Sequence, residues 1–476
     1  MKSKDIVIVL IVALILASCG TAVKVVPTET AIFTKVTESP TSSPTETATT
    51  IPVPMLTNFP DIPAPGVELV NQAIEKFAST MQQDNQKIDL TYRTGKGKDG
   101  TPFVVGVTQD GYPLVMAKQR GNEWTWKEAS LHEIADSLEF LVGTNLRTPF
   151  KAREIPESIA RQSQVIAGTE FNLALLDEYA YWFYSEYERD SHDFEPFAKD
   201  LAIATSYQMT ARGYHVLYGC NEFQWIDWLK NGNFDKATLS VIIENHTRAF
   251  VGEFKGKING WAVVNEVNRS DGCDQYYQII GQDYVTIAFR AAREADPNAY
   301  LLYAFDENAP NGSADPFTLS MIKNLKEQGL VDALDLQFHL MGTDQGFDKQ
   351  KIIESLLKYS EAGVPIDIGE LDIRIRNVSG TDSERFVKQA ALYRTVIEAA
   401  FESGVVRSIS FWEASFGDQY NWLVKDAAKL GVDNDWNSTR NSPTLYIVNE
   451  QGRIVPKPAL YEVRKVFLEQ LVGNSQ

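Results

Sequence analysis

From about Leu131 onward, short apolar runs alternate with longer stretches of helical spacing. The runs are Phe140–Asn145, Glu170–Leu175, Tyr214–Tyr218, Gly260–Asn265, Tyr300–Phe305, Ala333–Phe338, Pro365–Gly369 and Ser408–Trp412. Their β-branched and aromatic content reads as buried strands. Between them lie amphipathic stretches such as Asp283–Glu294 and Ser383–Glu402. Eight strand–helix alternations over about 340 residues predict an α/β fold, a (β/α)8 TIM barrel spanning residues 131–472. A doubly wound open sheet competes, but the stretch lacks the Gly-rich phosphate loop of such folds.

The pattern changes before the barrel. In residues 66–130, Val67, Val70, Ile74 and Phe77 have helical spacing up to Met81. Phe103–Val107 and Leu114–Ala117 then flank Gln109-Asp110-Gly111, a hairpin signal. A small α+β elaboration packed against the barrel is expected. Trp124 and Trp126 are read there as packing residues, with sugar contact the alternative. Residues 19–65 are rich in Thr, Ser and Pro, as in Thr37-Glu38-Ser39-Pro40-Thr41-Ser42-Ser43-Pro44. They cannot bury enough apolar surface to offset ordering entropy, so they read as a disordered stalk. At the start, Lys2 and Lys4 precede an apolar run from Ile6 to Leu16. Its length suits a signal-peptide core better than a membrane span. The run ends in Leu16-Ala17-Ser18-Cys19-Gly20, which resembles a bacterial lipoprotein signal occupying residues 1–18. Cys19 would then carry lipid and anchor the chain extracytoplasmically at a bacterial cell surface.

Composition narrows the partners. With 45 basic and 63 acidic residues the formal charge is −18, which argues against nucleic acid. Beyond Cys19 there are two cysteines, Cys220 and Cys273. An exported compartment permits a bond between them, and two reduced, buried thiols are the alternative. No Cys/His cluster has metal-ligand spacing, so neither metal nor cofactor is expected.

Two glutamates end candidate strands four and seven: Glu266 after Trp261-Ala262-Val263-Val264-Asn265, and Glu370 after Pro365-Ile366-Asp367-Ile368-Gly369. Residues at the C-terminal ends of barrel strands face the active site. Two carboxylates there suit glycoside hydrolysis, one protonating the leaving oxygen and one attacking the anomeric carbon. Strand-end glutamates can equally be surface residues, and position alone does not decide.

The flanking residues do. The segments Trp261-Ala262-Val263-Val264-Asn265-Glu266, Leu336-Gln337-Phe338-His339-Leu340, Gly369-Glu370-Leu371-Asp372-Ile373, Phe411-Trp412-Glu413-Ala414 with Asp418-Gln419-Tyr420-Asn421-Trp422-Leu423, and Pro456-Lys457-Pro458-Ala459-Leu460-Tyr461 occur in order. They resemble glycoside hydrolase family ten, the endo-β-1,4-xylanase family. The resemblance covers roughly residues 131–470 and implies a retaining, endo-acting hydrolase of β-1,4-linked xylan or a related plant polysaccharide. It implies Glu266 as acid/base and Glu370 as nucleophile. It implies a substrate wall of Asn265, Gln337, His339, Tyr214, Trp412 and Trp422, with His339 also hydrogen-bonding Glu370 and Asp372 orienting its neighbours. A monomer acting on a polysaccharide is expected.

The second and third strands depart from the family. Where it has Gly-His-Thr-Leu-Val-Trp-His, this chain has Gly213-Tyr214-His215-Val216-Leu217-Tyr218-Gly219. Aligned without a gap, Tyr214 replaces a histidine, Tyr218 the tryptophan and Gly219 the second histidine. A one-residue shift would put His215 in the first position but flip its face of the strand, so the ungapped version is preferred, with His215 on the face opposite Tyr214. Asp177-Glu178-Tyr179-Ala180-Tyr181-Trp182 stands for Glu-Asn-Glu-Met-Lys-Trp, and Gly369 for the threonine of Thr-Glu-Leu-Asp-Ile. These changes leave room for another β-glycan as substrate, or for a non-catalytic glycan-binding lipoprotein on a degenerate barrel.

Overall fold

The computed structural model describes residues 90–121, 123–146, 155–220, 226–268, 271–421, 424–425, 428–429, 431, 433–434 and 438–473. Cys19, the stalk, the helix expected over 67–81, Trp422 and the side chain of Trp126 lie outside the described residues. No helix among the described residues is long and apolar enough to cross a membrane.

Four strands come first: β1 (Thr91–Lys96), β2 (Pro102–Val107), β3 (Pro113–Arg120) and β4 (Glu123–Glu128). They form an antiparallel sheet in sequence order. Val104 and Ala117 are buried on one face, with Tyr92 and Trp124 packed against them. The opposite face, carrying Phe103, Val105 and Met116, joins the main core. Arg464, on the last helix (Pro458–Gly473), reaches both Glu128 of β4 and Glu170 of the helix Glu157–Glu170. Glu170 also accepts the backbone N–H of Leu131. This buried ion pair ties sheet, barrel and C-terminus together, and removing one partner typically costs about 3–5 kcal/mol.

Eight parallel strands make the barrel: β5 (Leu141–Asn145), β6 (Leu173–Leu176), β7 (Thr210–Leu217), β8 (Gly260–Asn265), β9 (Tyr300–Phe305), β10 (Ala333–Leu336), β12 (Ile366–Asn377) and β13 (Val406–Phe411). The ring closes where β13 pairs with β5 and β10 with β12. A short extra strand, β11 (His339–Thr343), pairs with the upper half of β12, His339 opposite Asp372. That pairing explains why the seventh strand runs on to Asn377 rather than stopping at Gly369, as the apolar pattern suggested. Local chemistry sets the helix ends. Thr381 and Glu384 form a capping box for the helix Asp382–Ser403, and Gly404 ends it at φ 68°.

The barrel interior is layered, and one layer is polar. Arg212 donates to Asp367 at 3.2 Å and to Ser408 at 3.1 Å, with its guanidinium over the Tyr300 ring. Above lies a cluster of Leu173, Leu175, Tyr214, Ala262, Ala304 and Trp412. Cys220, after β7, is disulfide-bonded to Cys273, after β8. The bond closes a span of 53 residues, and on a chain-entropy argument such a loop contributes about 4 kcal/mol.

Candidate active site

The strand-end residues hang on neighbouring strands. Glu266 N–H donates to Ala304 O, Gln337 N–H to Phe305 O, Glu370 N–H to Gln337 O and Trp412 N–H to Leu371 O. Glu266 (φ 49°), Phe338 (φ 64°) and Glu413 (φ 49°) adopt left-handed backbone conformations here. Such conformations in non-glycine residues cost energy and cluster at functional sites.

Glu266 and Glu370 are both buried, 7% and 4% exposed. Gln337 links them. Its side chain donates to Glu266 Oε1 at 2.8 Å and Asn265 Oδ1 at 3.2 Å, while its carbonyl receives the Glu370 N–H. Tyr218 donates its hydroxyl to Glu266 Oε2 at 2.6 Å.

Glu370 sits among imidazoles. His339 Nε2 is 3.0 Å from its Oε2, and His339 Nδ1 is 2.8 Å from Asp372. His215 Nε2 lies 3.4 Å from its Oε1. Burial pushes the Glu370 carboxyl up, but hydrogen bonds and charge from His215 and His339 outweigh it and hold the group at about 2. Burial likewise disfavours charge on His339, yet Asp372 and Glu370 raise it to about 10. At neutral pH His339 is therefore an imidazolium donating to both carboxylates. Asn308 accepts the His339 N–H and Arg374 donates to its carbonyl, which fixes the residue from the backbone. Trp412 stands edge-on to the His339 ring, centroids 6.2 Å apart.

The sequence pattern brought Asn265, Gln337, His339 and Trp412 to this point, and they are here. Tyr214, expected at the sugar, is 1% exposed, and its hydroxyl faces Asp335 and Glu370. His215 was expected on the far face of its strand. The pairing of β7 with β8 slips between Tyr214 and Leu217, and the irregularity lets His215 turn inward as well. Tyr218 and His215 were noted only as departures from the family motif, Tyr218 in the place of its tryptophan, and Asp335 was not singled out.

The second strand supplies structure instead of an open wall. Trp182 is fully buried and stacks on His246, ring centroids 4.0 Å apart. Among the described residues, Glu186, His192 and His246 bring ligand-type atoms within 4.8 Å of one another, which their separation in sequence conceals. The Glu186 carboxylate, however, already receives the Trp182 indole N–H, His246 Nδ1 and the Asp190 N–H. It serves as the hub that fastens this loop to the helix Lys236–Glu253.

A TIM barrel that carries one buried carboxylate just after its fourth strand and a second, linked to it, within its long seventh strand is the framework of a glycoside hydrolase. The Glycosyl hydrolase family 10 profile matches residues 134–465, and the chain belongs to that family. It is 28% identical over 353 residues to endo-1,4-beta-xylanase B of Thermotoga neapolitana, covering 72% of this chain and 93% of that protein. Endo-1,4-beta-xylanase A of the same organism is 32% identical over 256 residues, only 23% of its own length. Among solved structures, xylanase 10B of Thermotoga petrophila in complex with xylobiose superposes with a TM-score of 0.61 at 26% identity, covering 72% of this chain and 99% of that one. Native xylanase 10B of Thermotoga maritima gives the same TM-score of 0.61 at 28% identity, with the same coverage of 72% and 99%.

Proposed function

We propose that the protein is an endo-acting, retaining hydrolase of β-1,4-xylan, with Glu370 as nucleophile and Glu266 as acid/base. The observation that carries this is the His339–Glu370–Gln337–Glu266 network, which keeps one carboxylate ionised and surrounds the other with neutral donors. In the first step Glu370 attacks the anomeric carbon. The glycosidic C–O bond breaks, and Glu266 gives its proton to the departing oxygen. The result is a glycosyl ester on Glu370. Glu266, now a carboxylate, takes a proton from water, and the water oxygen displaces Glu370 from the same carbon. Two inversions give net retention. Asn265 is oriented by Gln337 to meet the sugar 2-OH, a bond that strengthens in the transition state. Trp412 would supply an apolar face for the pyranose, and Trp422 a second.

Xylan is favoured by the relatives named xylanase and by the xylobiose held by one structural neighbour. Another β-glycan is favoured by the tyrosines at 181, 214 and 218, where the family resemblance expects lysine, histidine and tryptophan. A panel of defined β-oligosaccharides, run with wild type and Glu370→Gln, tests both. Reducing ends released from xylo-oligosaccharides by wild type alone support the first reading. Turnover confined to a different β-glycan favours the second, and full activity of the variant sinks the assignment.

The chain is further proposed to work as a monomeric, lipid-anchored enzyme outside the cytoplasm. Leu16-Ala17-Ser18-Cys19 supports the anchor, the disulfide suits an oxidising compartment, and a single copy brings Glu266, Glu370, Gln337, His339 and Trp412 together. Detergent-phase partitioning that is lost in Cys19→Ala is the expected result. Equal partitioning of the two would rule the anchor out.

A further inference from the structure

The nucleophile is held from a second side, by groups outside the histidine network. Around Gly369, the residue before Glu370, several buried polar atoms crowd one another. A Cβ placed on Gly369 would lie 2.2 Å from Asp335 Oδ1, 2.5 Å from Asp335 Oδ2 and 2.4 Å from the Tyr214 hydroxyl. The side chain missing from residue 369 is therefore what admits both groups. Family resemblance places a threonine there, and a threonine would push both of these side chains out of their present positions.

The crowded atoms are polar and mutually unsatisfied. Tyr214 OH and Asp335 Oδ1 are buried without a well-formed hydrogen bond, and Glu370 Oε1 has only the long 3.4 Å contact with His215 Nε2. An unmade bond at a buried polar atom is costly, and a rotation of a hydroxyl or carboxyl is enough to close one. The Tyr214 hydroxyl faces both Asp335 and Glu370, and its ring lies 3.9 Å from that of His215. Among the described residues no cation is seen to donate to Asp335, although the Arg212 charge lowers its carboxyl somewhat. Arg212, the nearby guanidinium, donates instead to Asp367 and Ser408. Burial, then the charges of Asp367 and Glu370, keep the Asp335 carboxyl protonated well above the usual carboxylate range.

We propose that Tyr214 and Asp335 form a second grip on the nucleophile. The Tyr214 O–H donates to Glu370 Oε1, and the Asp335 carboxyl O–H donates to the Tyr214 oxygen. Glu370 is then held at Oε2 by His339 and at Oε1 by Tyr214, with His215 alongside. Tyr214 touches the reacting carboxylate and is a catalytic residue. Asp335 acts through it and is a positioning residue. The grip fixes the carboxylate for attack and stabilises it as leaving group when the glycosyl ester is hydrolysed.

This inference rests on Glu370 being the nucleophile, and its test separates the two. The groups facing Glu370 are His339, His215, Tyr214 and Asp335, so the acidic limb of kcat/KM against pH reports on the set. In Tyr214→Phe the limb should move up by about one unit and kcat fall about tenfold, with KM and Tm little changed. Asp335→Asn keeps a donor towards Tyr214 and should stay near wild type in both readouts. Asp335→Ala should follow Tyr214→Phe. An active wild type whose limb does not move in Tyr214→Phe overturns the grip and leaves the mechanism standing. A large loss in Asp335→Asn also overturns it, because the carboxyl would then be acting as an anion. A wild type inactive on every glycan sinks the enzymatic reading and the grip with it.

Discussion

Glu266 follows one strand of the barrel and Glu370 lies within another, both buried, both within reach of Gln337, yet the donors they receive differ in kind. Glu266 receives neutral donors, the Tyr218 phenol and the Gln337 amide. Glu370 receives imidazoles, one of them a cation locked by Asp372. The same side chain is thus prepared for two tasks. A carboxylate among charged donors stays ionised and can attack. The difference lies in the neighbours, so it can be broken by changing either the glutamates or what surrounds them.

The largest effects should come from the glutamates and should differ in kind. Glu370→Gln removes the attacking group, and turnover of every substrate should fall on the order of a thousandfold or more. Glu266→Gln removes the proton donor, so loss should be comparable on natural glycans. It should be much smaller at the first step for an aryl glycoside whose leaving group needs no proton. Pre-steady-state bursts with aryl glycosides check this. A burst in Glu370→Gln, or none in Glu266→Gln, would mean that the roles are exchanged.

Next comes the cation beside Glu370. His339→Asn leaves an N–H donor on the side chain but deletes the charge. Glu370 then loses a partner that holds it low, so the acidic limb should move towards the ordinary carboxylate range. Activity should fall about a hundredfold. A limb that stays put while kcat falls would assign His339 to the sugar instead.

Smaller again is the effect of refilling the glycine. Gly369→Ala places a methyl within 2.4 Å of the Tyr214 hydroxyl and closer still to Asp335. Kinetics and Tm should worsen in the wild-type background, and part of that loss should disappear in Tyr214→Phe/Asp335→Gly. Additive losses would show that the three positions do not share space.

The contrast also explains what could be read in advance. The segments carrying Glu266, Glu370 and His339 were legible because each follows a short, largely apolar run and keeps its family neighbours. The third strand was not. Its alternation predicts that Tyr214 and His215 face opposite ways, but the slipped pairing with β8 turns both inward, and no local pattern announces a slip. Gly219 and Gly369 were equally opaque. In sequence they look like losses of a histidine and a threonine. In space each makes room for something distant: Asp274 Oδ1 lies 2.1 Å from a Cβ built on Gly219, and Asp335 and Tyr214 fill the place beside Gly369. Compensation between residues 34 or more positions apart leaves no trace in periodicity. The buried Glu186–His246 hub was hidden for the same reason, because its members meet only after the helix Lys236–Glu253 packs against the second loop.

The smallest expected effect tests whether the charges of the His339–Glu370 pair work as a unit in the folded state. Glu370 is held near 2, below its ordinary 4.5, so the stability it adds is present above about 4.5 and is lost as pH falls towards 2. His339 is raised from 6.5 to about 10, so its contribution is complete below about 6.5 and is lost as pH rises towards 10. Both are in place between about 4.5 and 6.5. Asp335 works in the opposite sense to Glu370. Its raised carboxyl favours the fold at low pH, and that advantage declines as pH rises through the range where the unfolded chain ionises. Subtracting the Tm curve of Glu370→Gln/His339→Asn from that of wild type removes this background. The difference should be a plateau of a few degrees over the middle window, falling on both sides. A difference that rises steadily with pH would show that Glu370 is stabilised without a charged His339. The comparison between the two glutamates would then rest on hydrogen bonding alone.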